Sequence, residues 1–205
     1  MRTTLVNMLM VLMALVTGAE KVGGQQQSAP PPSKFKMITS AYSDGDWIPV
    51  QYTCGVTDGS SPGLQWSDAP QDTMSFSLIF HDTDTAPSKG VTDFTHWVLW
   101  NISASAAQLP ANVQPDASPD GIQQGKNGRG ANGYQPPCPS VGARPHHYVF
   151  ELYALDAKLN LPAGSSRADL MKAMDGHVIG KASFVGIFGQ GIDSKTWRWP
   201  VANPQ

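Results

Sequence analysis

From Phe35 onward, apolar and polar positions alternate in short segments, each closed by Gly, Pro, Asp or Ser. Segments of that length and rhythm predict β-strands, because successive side chains on a strand point to opposite faces of its sheet. The pattern predicts strands over 36–39, 47–52, 75–81, 95–102, 148–154 and 182–188. The run Ser75-Phe76-Ser77-Leu78-Ile79-Phe80 begins in alternation and ends apolar on both faces, as does His96-Trp97-Val98-Leu99-Trp100. Both read as central strands of a sheet covered on its two sides. A helical pattern occurs once, over 167–177. Ser165 or Ser166 caps it, Asp169 lies in its first turn, and Leu170, Met171, Met174 and Val178 recur at three-to-four spacing. Its methionines read as core packing and His177 as a charge at the negative end of the helix dipole.

The first residues follow another pattern. Arg2 precedes an apolar run from Leu5 to Val16, broken by Asn7 and followed by the small residues Thr17-Gly18-Ala19. The run is shorter than the ~20 residues of a spanning helix. It therefore predicts a signal peptide over 1–19, cleaved near Ala19, and an exported chain, periplasmic or secreted, with no stable membrane insertion afterwards. Residues 20–34 carry Gln, Pro, Gly and Ser with almost nothing to bury, and are expected to be a flexible leader to a single domain over 35–205.

Composition sharpens this. Charged residues are 15% of the 205, against 20 Gly and 17 Pro, which favours turns and short strands over long helices. The net charge is -2 and no run of Lys or Arg occurs, so nucleic acid is not an expected partner. Export permits a disulfide between Cys54 and Cys138, and spacing leaves two readings open, a bonded pair or two separate buried thiols.

Candidate chemistry gathers at segment ends. His81-Asp82-Thr83-Asp84-Thr85-Ala86-Pro87 follows one apolar strand, His96-Trp97 opens the next, and Gly133-Tyr134-Gln135-Pro136-Pro137-Cys138-Pro139 closes a long Gly- and Pro-rich stretch. His146-His147-Tyr148 then opens another strand, and alternation puts His146 and Tyr148 on one face with His147 on the other. A stretch as long as 101–148 without its own strands is expected to serve a function. No G-x-S-x-G elbow, obvious nucleophile or metal-ligand spacing is present, and nothing calls for a cofactor.

The order of these motifs resembles the phosphatidylethanolamine-binding protein family, in its bacterial Raf kinase inhibitor-like branch. Asp82, Asp84, Ala86 and Pro87 come first, then His96-Trp97, then Gly133-Tyr134 with Pro137-Cys138-Pro139, then His146 with Tyr148 and the strand after it. The likeness runs from about Phe35 to Gln190 and also takes in Tyr52-Thr53-Cys54-Gly55, Leu161-Pro162-Ala163-Gly164 and Met174-Asp175-Gly176-His177. It implies a mainly β fold, a large antiparallel sheet packed on a smaller one with one or two peripheral helices. It also implies a pocket for a phosphate-like anion at the rim of a sheet, lined by His96, His146, Tyr148 and one of Asp82 and Asp84, beside the turn proline Pro87. Thr83, the added Thr85, Pro136 and His147 depart from the family pattern.

Imidazoles and a phenol supply hydrogen-bond donors to an anion, and a carboxylate that accepts from one imidazole favours its charged form. Binding is then expected to strengthen as pH falls through the histidine range near 6.5. The chain reads as a module for a small anion or phosphorylated head group, or for a protein partner that presents one, such as a protease. The alternative is a hydrolase that uses a His/Asp pair, and the missing nucleophile counts against it.

Overall fold

A computed structural model of the chain describes residues 34–57, 59–115 and 121–196. The expected signal peptide, and the leader apart from Lys34, lie outside the described residues. The described residues form eight strands: β1 (Lys36–Ile38), β2 (Leu64–Ser67), β3 (Ser75–Asp82), β4 (Phe94–Ser103), β5 (Gln108–Leu109), β6 (Gln123–Gln124), β7 (His146–Leu155) and β8 (Val178–Phe188). One α-helix, α1 (Arg167–Met174), lies between β7 and β8. The large sheet runs β6-β4-β3-β7-β8 and the small one β1-β2-β5, with antiparallel pairing throughout both. The fold is mainly β.

Burial follows the alternation. All eight residues of β3 are buried, as its two-faced apolar pattern requires of a central strand. On one face Phe76, Leu78 and Phe80 meet Trp97, Leu99, Phe150, Leu152 and Phe184, and the small sheet closes over them with Met37, Leu64 and Trp66. On the other, Ile79, Val98, Trp100 and Leu155 pack under Leu170 and Met174 of α1. Phe80 and Phe150 stack at 3.8 Å between ring centroids, directly beneath the rim where the candidate residues emerge.

Three expectations are corrected. The segment 47–52 is not a strand: after one parallel bridge from Trp47 to Ile187, Pro49 leads into a 3-10 turn at Val50–Tyr52. A proline without an N–H cannot extend a ladder there. The strand Leu64–Ser67 was not predicted, since its two buried residues, Leu64 and Trp66, are too few to show a period. The helix stops at Met174, three residues short of His177, because Asp175 is not helical and Gly176 has a φ of 81°. Met171 and Val178 are consequently exposed, and His177 donates from Nδ1 to Asp156 at 2.8 Å. Ser166 is the cap, in a reciprocal box with Asp169.

Cys54 and Cys138 are bonded, with Cα atoms 5.3 Å apart. The bond ties the Pro-rich stretch before β7 to the turn after Val50–Tyr52, assisted by Cys54 N–H to the Pro137 carbonyl at 3.0 Å. Closing a loop with a sequence separation of 84 restricts the unfolded chain, which in the chain-entropy account stabilises the fold by about 4 kcal/mol. The double variant Cys54→Ser/Cys138→Ser is therefore expected to lose ~3–4 kcal/mol in urea unfolding, whereas a loss under ~1 kcal/mol would show that the bond contributes little to stability.

Candidate functional site

β3 ends at Asp82, and its neighbours β4 and β7 both begin beside it, so Asp82 lies across from Phe94 on one side and Tyr148 on the other. Alternation carries Phe80 and Asp82 to the face of the main core, and His146 and Tyr148 to the same face. His96 reaches that face by another route. The β3–β4 register slips between Phe80, opposite Trp97, and His81, opposite Thr95, which leaves His96 as the extra residue of a bulge. A bulge turns a side chain away from strict alternation. The His96 ring accordingly packs 4.9 Å from Phe94 and 5.3 Å from both Phe80 and Tyr148.

These side chains meet in a pocket of about 190 Å³, lined by Asp82, Thr85, Phe94, His96, Arg129 and His146 together with Gln135, Pro136, Cys138, Pro139 and Ser140. Its volume is below the ~300–1,000 Å³ of drug-sized ligand sites, so it suits a small ligand or a head group. Both imidazoles are fixed by their Nδ1 atoms. His96 donates to the Gln135 carbonyl at 2.6 Å, and Gln135 N–H returns a bond to the His96 carbonyl at 2.8 Å. His146 donates to Asp82 Oδ2 at 2.7 Å, and Asp82 Oδ1 accepts the Asp84 N–H at 3.0 Å.

The two aspartates divide their roles. Asp82 faces the pocket; Asp84 turns away and accepts the His147 N–H at 2.7 Å, the His147 ring at 2.9 Å and Arg144 at 2.7 Å. Burial raises the Asp84 carboxyl, but the His147 amide and ring and the Arg144 guanidinium outweigh it and hold the group below the ordinary carboxylate range. Pro87 opens a 3-10 turn, Pro87–Lys89, outside the pocket lining. Tyr148 is fully buried beneath the two imidazoles, with its hydroxyl turned toward the Asp82 carboxylate. Burial first, then the nearby Asp82 charge, raises its ionisation well above the ordinary phenol range. Its ring underlies the site without lining it. His81, the third imidazole near the rim, faces the other side of the sheet and pairs with Asp93 at 2.6 Å.

Arg129 was missed from the sequence. It sits at the tip of a tight turn, with Gly128 N–H bonded to the Thr95 carbonyl at 2.7 Å and Arg129 N–H to Asn127 Oδ1 at 3.0 Å. Gly128 lies flat against Phe94, where an added Cβ would come within 2.5 Å of the ring, so only glycine allows the turn to approach the pocket wall. The available signal was a lone arginine between two glycines in the long loop. Thr85, the added residue, has a local role: its hydroxyl donates to the Asp82 carbonyl at 3.1 Å and accepts the Phe94 N–H at 3.1 Å.

Fold and site together define a two-sheet β-domain with a small polar pocket at the rim of the larger sheet. Residues 38–189 match the family model described as phosphatidylethanolamine-binding protein. A UPF0098 protein of Methanothermobacter thermautotrophicus is 45% identical over 161 residues, which is 77% of this chain and all of that one. The crystal structure of the phosphatidylethanolamine-binding protein homologue CT736 of Chlamydia trachomatis superposes with a TM-score of 0.68 at 35% identity, covering 78% of this chain and 99% of the other. That of E. coli YbcL, described as a member of the mammalian family, gives 0.69 at 29% identity, covering 76% and 98%. The chain belongs to the phosphatidylethanolamine-binding protein family. Relatives from archaea as well as bacteria match it.

Burial lowers the His96 pKa to about 4, against smaller raising effects from the Gln135 carbonyl and the Asp82 charge. The unfolded chain takes up this proton near pH 6.5 and the folded protein only near 4. The stabilisation from keeping His96 neutral is thus complete above about pH 6.5 and is lost as pH falls toward 4. Urea unfolding of the wild type is expected to lose up to ~3 kcal/mol between pH 7 and pH 4 through this residue. That component should be missing from the profile of His96→Gln, and identical pH profiles for the two proteins would refute it.

Proposed function

We propose that this protein binds a small phosphate-like anion, such as a phosphorylated head group, in the pocket formed by Asp82, His96, Arg129 and His146. The observation that carries the reading is the convergence of two immobilised imidazoles and a guanidinium on a space of about 190 Å³, too small for most other ligand classes. Arg129 supplies a permanent positive charge and a fork of donors suited to phosphate oxygens. The Ser140 hydroxyl, also in the lining, adds a donor at the mouth. The family name, which refers to a phospholipid head group, supports the same ligand chemistry.

The disulfide supports the further reading that the chain works outside the reducing cytosol, as a periplasmic or secreted protein. A protein partner that presents a phosphate-like group, a protease among them, fits the same pocket. The paired Asp82 and His146 have the form of the base half of a hydrolytic triad. Ser140, however, makes no hydrogen bond to either imidazole among the described residues, and Cys138 is committed to its disulfide. Binding therefore accounts for the arrangement better than hydrolysis does.

Calorimetric titration of phosphoethanolamine and of inorganic phosphate into the mature protein is expected to show saturable binding. Arg129→Gln and His146→Ala are each expected to weaken it at least tenfold, with thermal melts confirming that both variants fold. Equal binding by wild type and both variants would place the anion elsewhere on the protein.

A further inference from the structure

One wall of the pocket is a single stretch of chain, from which Gln135, Pro136, Cys138, Pro139 and Ser140 join the lining. Because Pro136, Pro137 and Pro139 have no N–H, that wall depends on ties to the rest of the domain. At its start Gln135 is clasped to His96, and past its end Gly142 N–H bonds to the Gln190 carbonyl at 3.2 Å. Between these points the wall is tied to Cys54, whose N–H donates to the Pro137 carbonyl at 3.0 Å and whose sulfur is bonded to Cys138. Cys54 is itself well seated. The buried Thr53 beside it donates to the Val50 carbonyl at 2.9 Å and accepts Gly55 N–H at 3.1 Å. The disulfide is thus the covalent tie of the pocket wall, and it lies within reach of solvent, since Cys138 is exposed and Cys54 is half-buried.

Resting on the anion-site reading above, we propose that thiol–disulfide exchange at Cys54 and Cys138 controls the pocket, which binds its anion while the bond is closed and loses affinity when the bond is reduced. A dithiol supplies the two electrons and two protons. Its thiolate attacks the exposed Cys138 sulfur, the bond to Cys54 breaks, and Cys54 leaves as a thiolate that takes up one proton. The second sulfur of the dithiol then closes its own disulfide and releases Cys138, which takes up the other proton. Oxidation by a small disulfide runs the same exchange backwards, and the oxidant leaves as two thiols.

What opens on reduction is the wall. The residues around Cys138 are then held by hydrogen bonds alone, and each residue that must be fixed again when an anion binds costs about tenfold in affinity. The Ser140 hydroxyl loses its place at the mouth, and the Gln135 carbonyl that orients His96 loses the support of the residues after it. The sheets stay closed, because neither of the two buried clusters beneath β3, β4 and β7 contains a cysteine. The site is therefore complete in a compartment where disulfides persist, and open among reducing thiols.

The test is calorimetric titration of inorganic phosphate into the mature protein as oxidised, after reduction with dithiothreitol and its anaerobic removal, and after reoxidation with oxidised glutathione and its removal. A colorimetric thiol titration confirms each state, and thermal melts show whether each is folded at the assay temperature. Reduction is expected to weaken phosphate binding at least tenfold and reoxidation to restore it. Cys54→Ser/Cys138→Ser should match the reduced protein and be indifferent to the dithiol. Met174→Ala, which loosens the core under α1 and leaves the disulfide intact, should bind phosphate as the wild type does. Equal affinity of the oxidised and reduced proteins would overturn the inference and leave the anion site standing. Global unfolding on reduction, or a matching loss of affinity in Met174→Ala, would overturn it as well, by showing that lost stability and not the freed wall removes binding. If the oxidised wild type fails to bind phosphate, the anion-site reading falls and this inference with it.

Discussion

The reciprocal hydrogen bond between His96 and Gln135 is the interaction on which the site depends. The His96 ring donates to the Gln135 carbonyl at 2.6 Å and the Gln135 amide donates to the His96 carbonyl at 2.8 Å, so one residue pair fixes both a side chain and a loop. Pro136, Pro137 and Pro139 have no N–H to offer, and the stretch cannot hold itself in place by ordinary turn bonds. It is anchored from outside, by this pair, by the Pro137 carbonyl to Cys54 N–H, by the disulfide, and by Tyr134 stacked on Phe80 at 5.6 Å. Because the loop's carbonyl sets the tautomer of His96, loosening the loop would change the chemistry of the pocket as well as its shape.

How far the site was legible depended on whether strict alternation held. On β7 it holds, so the common face of His146 and Tyr148 could be read from their spacing. On β4 it fails at His96, where a bulge in pairing with β3 carries the ring to the pocket side. Nothing local in His96-Trp97 announces a bulge, since it arises from pairing between strands and not from propensity. Asp82 and Asp84 were indistinguishable for a similar reason: which of them faces inward depends on where β3 ends, and a turn follows the last strand residue immediately. The depth of Tyr148, fully buried beneath the imidazoles, was not legible, because a one-dimensional pattern does not contain depth.

The fold was more legible where an element supplies its own period. Five of the six predicted strands match observed ones; the four in the large sheet have enough buried residues to show alternation or a continuous apolar run, whereas β1 buries Met37 alone. The small sheet was largely hidden, since β2 buries only Leu64 and Trp66 and β5 only Leu109. Such strands are defined by the core they cover, not by their own sequences. The helix was visible from its cap and its buried Leu170 and Met174, but Val178 imitated its periodicity from the first position of β8. An apolar residue after Gly176 fits either element, and the positive φ of that glycine decides between them.

The departures from the family pattern make physical sense together. With Thr83 and Thr85 in place of a tighter turn, the segment after β3 carries two carboxylates in opposite directions, and Thr85 ties its far end to the Phe94 amide. Asp84 takes the amide and ring of His147 as well as Arg144, so His147 meets a charge partner. That leaves Asp82, buried to 3% exposure, free to engage His146 alone among the imidazoles. A carboxylate so buried is tolerated because the His146 ring and the Asp84 amide, among other groups, donate to it. Its negative charge at the base and the Arg129 charge at the mouth then set a field along the pocket. That polarity follows from which backbone and side-chain groups the loop and the turn have already used.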